Sequence, residues 1–279
     1  MTEMGYQPNI LARSLRRNET GTIGLIVPDN SNPFFAEVAR TVEDMGFQNG
    51  YSVILCNSDD NLDKEAAYIQ VLIAKQVDGV IFIAAGTRQD SLEELDRQGI
   101  PFVVADRDIK QTLADVVLVD NEQGGYDITR YLVALGHARV ACIAGPSQLT
   151  PSADRVLGYR QALVESNLPV DDSLILPGDF RYEGGESAMG RLLRAEIPPT
   201  AVFCCNDLMA IGALRAIRNA GLLVPRDVSV AARSPRLARR VLRSWNDLTP
   251  VPRLERKATS HSSSWAGRDR STSSRTACR

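Results

Sequence analysis

Histidine is almost missing from this 279-residue chain, which holds only His137 and His261. Neither is flanked by a nucleophile, so acid–base chemistry near neutral pH has few candidates. The five cysteines (Cys56, Cys142, Cys204, Cys205 and Cys278) form no C-x-x-C pair and no metal-ligand spacing, so no metal is predicted. The first four lie in apolar, strand-like runs where small buried thiols are common, which fits a reducing, cytoplasmic compartment. There is no G-x-G-x-x-G after a strand, no G-x-x-x-x-G-K-[ST], no G-x-S-x-G and no H-E-x-x-H. The familiar phosphate cradles, nucleophile elbow and zinc helix are thereby excluded, and neither a cofactor nor an enzymatic activity is expected. No apolar run reaches the ~18 residues of a membrane span. The opening Met1–Tyr6 lacks the apolar core of a secretory signal.

What is present is an ordinary globular composition, 44% apolar and 24% charged. The net charge of −2 conceals a break near Val230, because residues 231–279 carry +9 and the preceding 230 carry −11. Before the break, short Val/Ile-rich runs alternate with helical patterns. The predicted strands are Thr22–Val27, Ser52–Cys56, Gly79–Ile83, Pro101–Ala105, Val116–Val119, Val140–Ala144, Ala201–Cys205 and Val228–Val230. They lack polar alternation, as strands covered on both faces should. Between them, apolar residues recur three and four apart: Phe35, Val38, Val42, Met45; Ala66, Ile69, Ile73; Ile128, Leu132, Leu135; and Met209, Ala213, Ile217, the last series stopping at Gly221 with Pro225 beyond. This is the pattern of an α/β protein with parallel sheets. The stretch Asp106–Asp115 interrupts the alternation, and a new series starts near Asn121. We therefore expect two doubly wound lobes with a ligand cleft between them. Ligands in such sheets bind beyond the carboxyl ends of the strands. That rule points to Asn32–Phe35, Asp106–Arg107, Gly145–Arg155 and Asn206–Asp207.

Each of these positions supports two readings. Asn32 caps a helix whose first residue is Pro33. Phe34 and Phe35 then point about 100° apart, so Phe35 packs inward while Phe34 is either a lid on the sheet edge or an aromatic platform for a sugar or base. Asp106 and Arg107 at a strand end either clamp vicinal hydroxyls or bridge the lobes as an ion pair. Arg155, placed in a helix's first turn ahead of the pattern Leu157–Glu165, would oppose the dipole and favour an external polar partner. Asn121 after Asp120, and Asn206 beside Asp207, are each either a helix cap or a ligand contact. His137 is expected to cap the last turn of its helix. At the start, Pro8–Arg17 reads as a helix of roughly two turns, marginal alone. It is either a frayed terminus or a basic segment that folds on DNA, arginines to phosphates and an apolar wedge between base steps.

Several blocks together resemble the lactose/purine-repressor (LacI) family of transcriptional regulators. Gly5-Tyr6-Gln7-Pro8-Asn9-Ile10-Leu11-Ala12-Arg13-Ser14-Leu15 resembles the end of the DNA-binding headpiece and the hinge helix. Thr22–Pro28, Ser31-Asn32-Pro33-Phe34-Phe35, Val77–Ile81, Leu135-Gly136-His137 and Asn206–Ala210 resemble the effector domain. The likeness runs over about residues 4–230 and implies a periplasmic-binding-protein-like pair of lobes. The pocket looks closest to the ribose-type branch. There Asn32, Phe34, Phe35, Asp106, Arg107, Asn121, Arg155, Phe180 and Asn206 fall on ligand-contact positions, and Asn9, Ala12, Arg13 and Leu15 on DNA contacts. The implied organisation is residues 1–20 as hinge and linker, 21–120 and 121–230 as the two lobes, and 231–279 as a basic Ser/Arg-rich tail predicted to be disordered. The implied function is sugar-responsive repression by a homodimer, with a pentose or related sugar as effector and operator DNA as partner.

The sequence departs from the family twice. No helix-turn-helix precedes Glu3, and Asp227–Val230 runs into Ala231-Ala232-Arg233-Ser234-Pro235 where the family has a Gly-Phe-Asp segment. A shifted reading frame near residue 230 explains the second; the rival is a tail that binds nucleic acid nonspecifically. Rival functions are a periplasmic-type sugar-binding protein for transport or chemotaxis, which has no use for a hinge sequence, and a nucleotide-dependent enzyme, which the absent phosphate loops oppose.

Overall fold

The computed structural model describes residues 19–83, 89–106 and 115–232. The hinge residues Asn9, Ala12, Arg13 and Leu15, the site candidate Arg107 and the tail beyond 232 lie outside this range. Five strands, β1 (Thr22–Val27), β2 (Ser52–Asn57), β3 (Gly79–Phe82), β4 (Phe102–Ala105) and β5 (Asp115–Val117), form one parallel sheet in the order β2-β1-β3-β4-β5. Four more, β6 (Val140–Ala144), β7 (Ile175–Pro177), β8 (Ala201–Cys204) and β9 (Ser229–Ala232), form a second in the order β7-β6-β8-β9, also parallel. The helices are α1 (Pro33–Gln48), α2 (Leu62–Ala74), α3 (Gln89–Arg97), α4 (Asn121–Ala134), α5 (Thr150–Glu165), α6 (Tyr182–Leu192) and α7 (Asp207–Asn219).

The central strands owe their place to continuous apolar runs. Leu25, Ile26 and Val27 on β1, and Val140 through Ala144 on β6, are buried on both faces. β5 is displaced by one residue at its start from the expected Val116–Val119, and every residue in it is exposed. It is the outermost strand of its sheet, so an apolar sequence there does not imply two covered faces. β7 was not expected at all: three residues after a 3₁₀ turn at Asp172–Leu174 are too short to show a period. Two expected core positions are at the surface, Met45 at 60% exposure and Leu135 at 55%. On α1 the inward stripe is Phe35, Val38, Ala39, Val42 and Gly46, and Gly46 faces the Val53 side chain. Met45 lies one position off it.

Two features aim the site. In each sheet the chain winds one way and then the other, reversing between β1 and β3 and between β6 and β8. Loops leaving neighbouring strands at such a reversal part in opposite directions and open a crevice. Second, α4 and α5 touch backbone to backbone. A Cβ on Gly158 would lie 1.9 Å from the Glu122 carbonyl oxygen, and one on Gly125 would lie 2.2 Å from that of Arg155. Hydrogen at both positions is what lets the Arg155 backbone sit against the start of α4. The Val77-Asp78-Gly79 block is also accounted for: the Asp78 carboxylate accepts from the amides of Thr20 (2.7 Å), Gly21 (2.7 Å) and Thr22 (3.3 Å), pinning the chain where it enters β1.

Candidate functional site

Beyond β1, Asn32 Oδ1 accepts from the Phe34 amide at 3.1 Å and Pro33 begins α1, as the local sequence requires. The two rings meet edge to face, 5.1 Å between centroids. Phe35 is 8% exposed and packs with Leu25, Val27 and Ile83, whereas Phe34 is 47% exposed. Of the pair, only Phe34 presents an open ring. Beyond β4, Asp106 holds a left-handed backbone, φ +67°, and its amide donates to the Val117 carbonyl at 2.9 Å. A non-glycine residue there is strained, and such strain concentrates at functional loops.

The carboxyl ends of the second sheet bring four candidates into one linked group. Arg155 donates through Nη1 to the Cys205 carbonyl at 2.6 Å and through Nε to Asn121 Oδ1 at 3.0 Å. Its guanidinium carbon stands 6.0 Å from the Phe180 ring centroid. Asn206 donates from Nδ2 to the Phe180 carbonyl at 2.7 Å, and its Oδ1 caps α7 by accepting from the Met209 amide at 2.9 Å. Loops after β6, β7 and β8 therefore converge around one arginine.

Three expectations need correction. Arg155 is not in a first turn: α5 begins at Thr150, so it is the sixth helical residue and the dipole gives no reason for an outside partner. The helix start carries no side-chain cap, so sequence offered no marker for it. Asn121 is not the cap of α4, because Asp120 is, accepting from the Gln123 amide at 2.9 Å. Asn121 is instead 4% exposed and donates from Nδ2 to the Val119 carbonyl at 3.1 Å while receiving Arg155. His137 lies past its helix, and it is its backbone N–H, donating to the Leu132 carbonyl at 3.3 Å, that caps the helix end rather than its ring. Its Nδ1 meets Thr200 Oγ1 at 2.9 Å and its Nε2 meets Ser229 Oγ at 3.0 Å, tying β9 to the residue before β8.

At positions the sequence had already pointed to, the structure adds three details. Gly145 underlies the Phe180 ring, since a Cβ there would fall 2.2 Å from Cε1 and Cζ. Phe180 is left-handed, φ +62°. Ser152 Oγ is buried with no hydrogen-bond partner among the described residues. None of these three details had a local sign in the sequence. Chemically, the group offers a fixed guanidinium, amides and aromatic faces, a set suited to an uncharged, many-hydroxyl ligand.

The family described as periplasmic binding proteins and sugar binding domain of LacI family matches residues 20–239. The transcriptional repressor PurR of Vibrio campbellii is 39% identical over 229 residues, 82% of this chain and 69% of the relative. Among solved structures, a LacI family transcriptional regulator from Enterococcus faecium with bound ribose is 33% identical at a TM-score of 0.68, covering 75% of this chain and 76% of that one. The transcriptional regulator CelR in its cellobiose complex is 32% identical at 0.69, covering 82% and 69%. None of the helices among the described residues is long and apolar enough to cross a membrane. Fold, match and relatives agree: the chain belongs to the LacI family of transcriptional regulators and carries its two-lobed, periplasmic-binding-protein-like sugar-binding domain.

Proposed function

We propose that this chain is the effector-binding and dimerisation core of a sugar-responsive repressor, that it catalyses no reaction, and that it acts in the cytoplasm. Residues 1–20 serve as hinge and linker, 21–120 and 121–230 as the lobes that close on the effector, and 231–279 as a basic tail. The effector is a pentose or related sugar. Phe34 and Phe180 stack on its apolar faces, and Asn32, Asp106, Arg107, Asn121, Arg155 and Asn206 address its hydroxyls. Operator DNA is contacted through Asn9, Ala12, Arg13 and Leu15 in a homodimer, and effector binding shifts the hinge helices by a coupling of about 1–3 kcal/mol.

The observation that carries this reading is Arg155, gripped by Asn121 and the Cys205 carbonyl with Phe180 beside it at a reversal point of the sheet. A guanidinium held in that way is preorganised, so little conformational entropy is lost when a sugar arrives. Titration calorimetry with D-ribose and with cellobiose tests the effector class. A ribose signal that vanishes in Arg155→Ala supports the proposal; ribose binding unchanged by that substitution removes Arg155 from the site. A transport protein of the same fold remains the second reading, favoured if sugar binds and no salt-dependent DNA retention accompanies the 1–20 segment.

A further inference from the structure

Cys142, in the middle of β6, and Cys205, the first residue past β8, place their sulfurs 3.9 Å apart, both buried and both free. Register explains the meeting: Cys142 pairs with Phe203 across the ladder, and the Cys205 amide donates to the Ile143 carbonyl at 2.9 Å. Cys205 therefore sits two residues beyond the partner of Cys142, on the same face of the sheet. We propose that Cys142 and Cys205 form a peroxide-reactive dithiol, a modification site in which Cys205 is the attacking sulfur and Cys142 the resolving one.

The surroundings divide the roles. Either sulfur can donate in the bond they share; with Cys205 as thiolate the Cys142 thiol is the donor, and the Arg155 charge and the Gly145 N–H favour that form too. Together they hold Cys205 below the ordinary thiol range despite its burial. That same hydrogen bond, with burial, pushes Cys142 up. A sulfur favoured as thiolate beside a guanidinium and a backbone donor is the reactive kind once a small oxidant can reach it. Cys205 is fully buried, and its carbonyl meets Arg155 at the start of the loop after β8, so a small uncharged hydroperoxide reaches the sulfur only when that loop opens. The thiolate attacks the near peroxide oxygen, the O–O bond breaks, and water leaves once the departing oxygen is protonated, giving a sulfenic acid. The Cys142 thiol then attacks that sulfur, an S–S bond forms and a second water departs. The peroxide is reduced by two electrons and the two thiols are oxidised by two. The sulfurs must close from 3.9 Å to about 2.0 Å. That movement shifts the Cys205 carbonyl, the acceptor of Arg155 Nη1. The chemistry does not depend on which sugar, or whether any sugar, is bound.

The experiment treats the folded, freshly reduced chain with hydrogen peroxide, alkylates remaining thiols in denaturant, and maps tryptic peptides by mass spectrometry. The expected product is peptide 140–155 joined to peptide 195–215 with loss of two hydrogens, reversed by dithiothreitol, and kept in Cys204→Ala. In Cys142→Ala, dimedone should label Cys205. If Cys142 and Cys205 both remain alkylatable at a dose that oxidises Cys56 or Cys278, or if the link runs through Cys204, the proposal is overturned. The wild-type map alone decides the matter should the Cys142→Ala chain fail to fold.

Discussion

Arg155 donates to two acceptors, the Cys205 carbonyl and Asn121 Oδ1. Truncation to alanine removes both bonds, and the loss of a hydrogen bond from a charged donor costs about 1–3 kcal/mol. We therefore expect Arg155→Ala to lower the urea midpoint measurably while leaving the fold, and to abolish D-ribose heat in calorimetry. Arg155→Lys separates charge from shape. A lysine keeps the positive charge but cannot span two acceptors in fixed directions as the planar guanidinium does. It should recover part of the stability and little of the binding. Recovery of full affinity by lysine would show that charge alone matters. Asn206 carries a comparable double duty, capping α7 with its oxygen and holding the Phe180 carbonyl with its nitrogen. Asn206→Asp keeps the acceptor and loses the donor, so the Phe180 loop should loosen before the helix does.

At the scale of elements, the helix pairs α4/α5 and α6/α7 are joined through glycine in both cases. A Cβ on Gly158 would stand 1.9 Å from the Glu122 carbonyl oxygen, and one on Gly212 would stand 2.1 Å from that of Tyr182. These neighbours are backbone and cannot rotate aside, so the helices must part. Gly158→Ala should destabilise by about 3 kcal/mol or more, the range of severe overpacking. Gly190, within α6, is the contrast: its nearest neighbour is the tip of Arg194 at 3.6 Å. Gly190→Ala removes unfolded-state freedom without a clash and should stabilise by about 0.5–1 kcal/mol. Equilibrium urea unfolding reads both, and equal effects of the two substitutions would refute the close-approach account. The exposed edge strand β5, with Val117 at 61% exposure, shows the opposite case, an element whose apolar residues the described sheet does not cover.

For the whole molecule, pH dependence follows from which groups folding holds in which form. Burial pushes the Tyr159 phenol well above its ordinary 10.0, and its hydroxyl donates to the Val140 carbonyl at 2.8 Å. Because the folded state favours the protonated phenol, its contribution is whole below pH 10 and is withdrawn as pH climbs toward the folded value. Burial pushes the Cys204 thiol up too, in the same sense from 9.0. On the acid side, Ser173 hydrogen bonds and Arg139 hold Asp171 below 3.8, and Arg226 does the same for Asp227. Their share is present above that value and fades as pH falls below it; both carboxylates are partly open to solvent, which screens them, so the acid effect should be small. Tyr159→Phe should therefore cost about 1 kcal/mol at neutral pH, the worth of a hydrogen bond, and flatten the alkaline limb of a urea-midpoint profile. An unchanged alkaline limb would mean that other groups carry it.

The amino-acid sequence by itself determined the class of the protein and the sites of its local features. Val/Ile-rich runs mark strands, Asn32-Pro33 marks a helix start, and of two adjacent phenylalanines only one can face a core. Such features are decided within a few residues, by steric preference and by period. The tertiary structure alone decided that Arg155 sits in a second turn between Asn121 and Cys205, that Gly145 makes room for Phe180, that His137 ties two strands, and that two cysteines 63 residues apart touch. Each of these depends on where separate strands end relative to one another, and that registry is set by sheet pairing and helix packing across the lobe, which no short window of sequence contains.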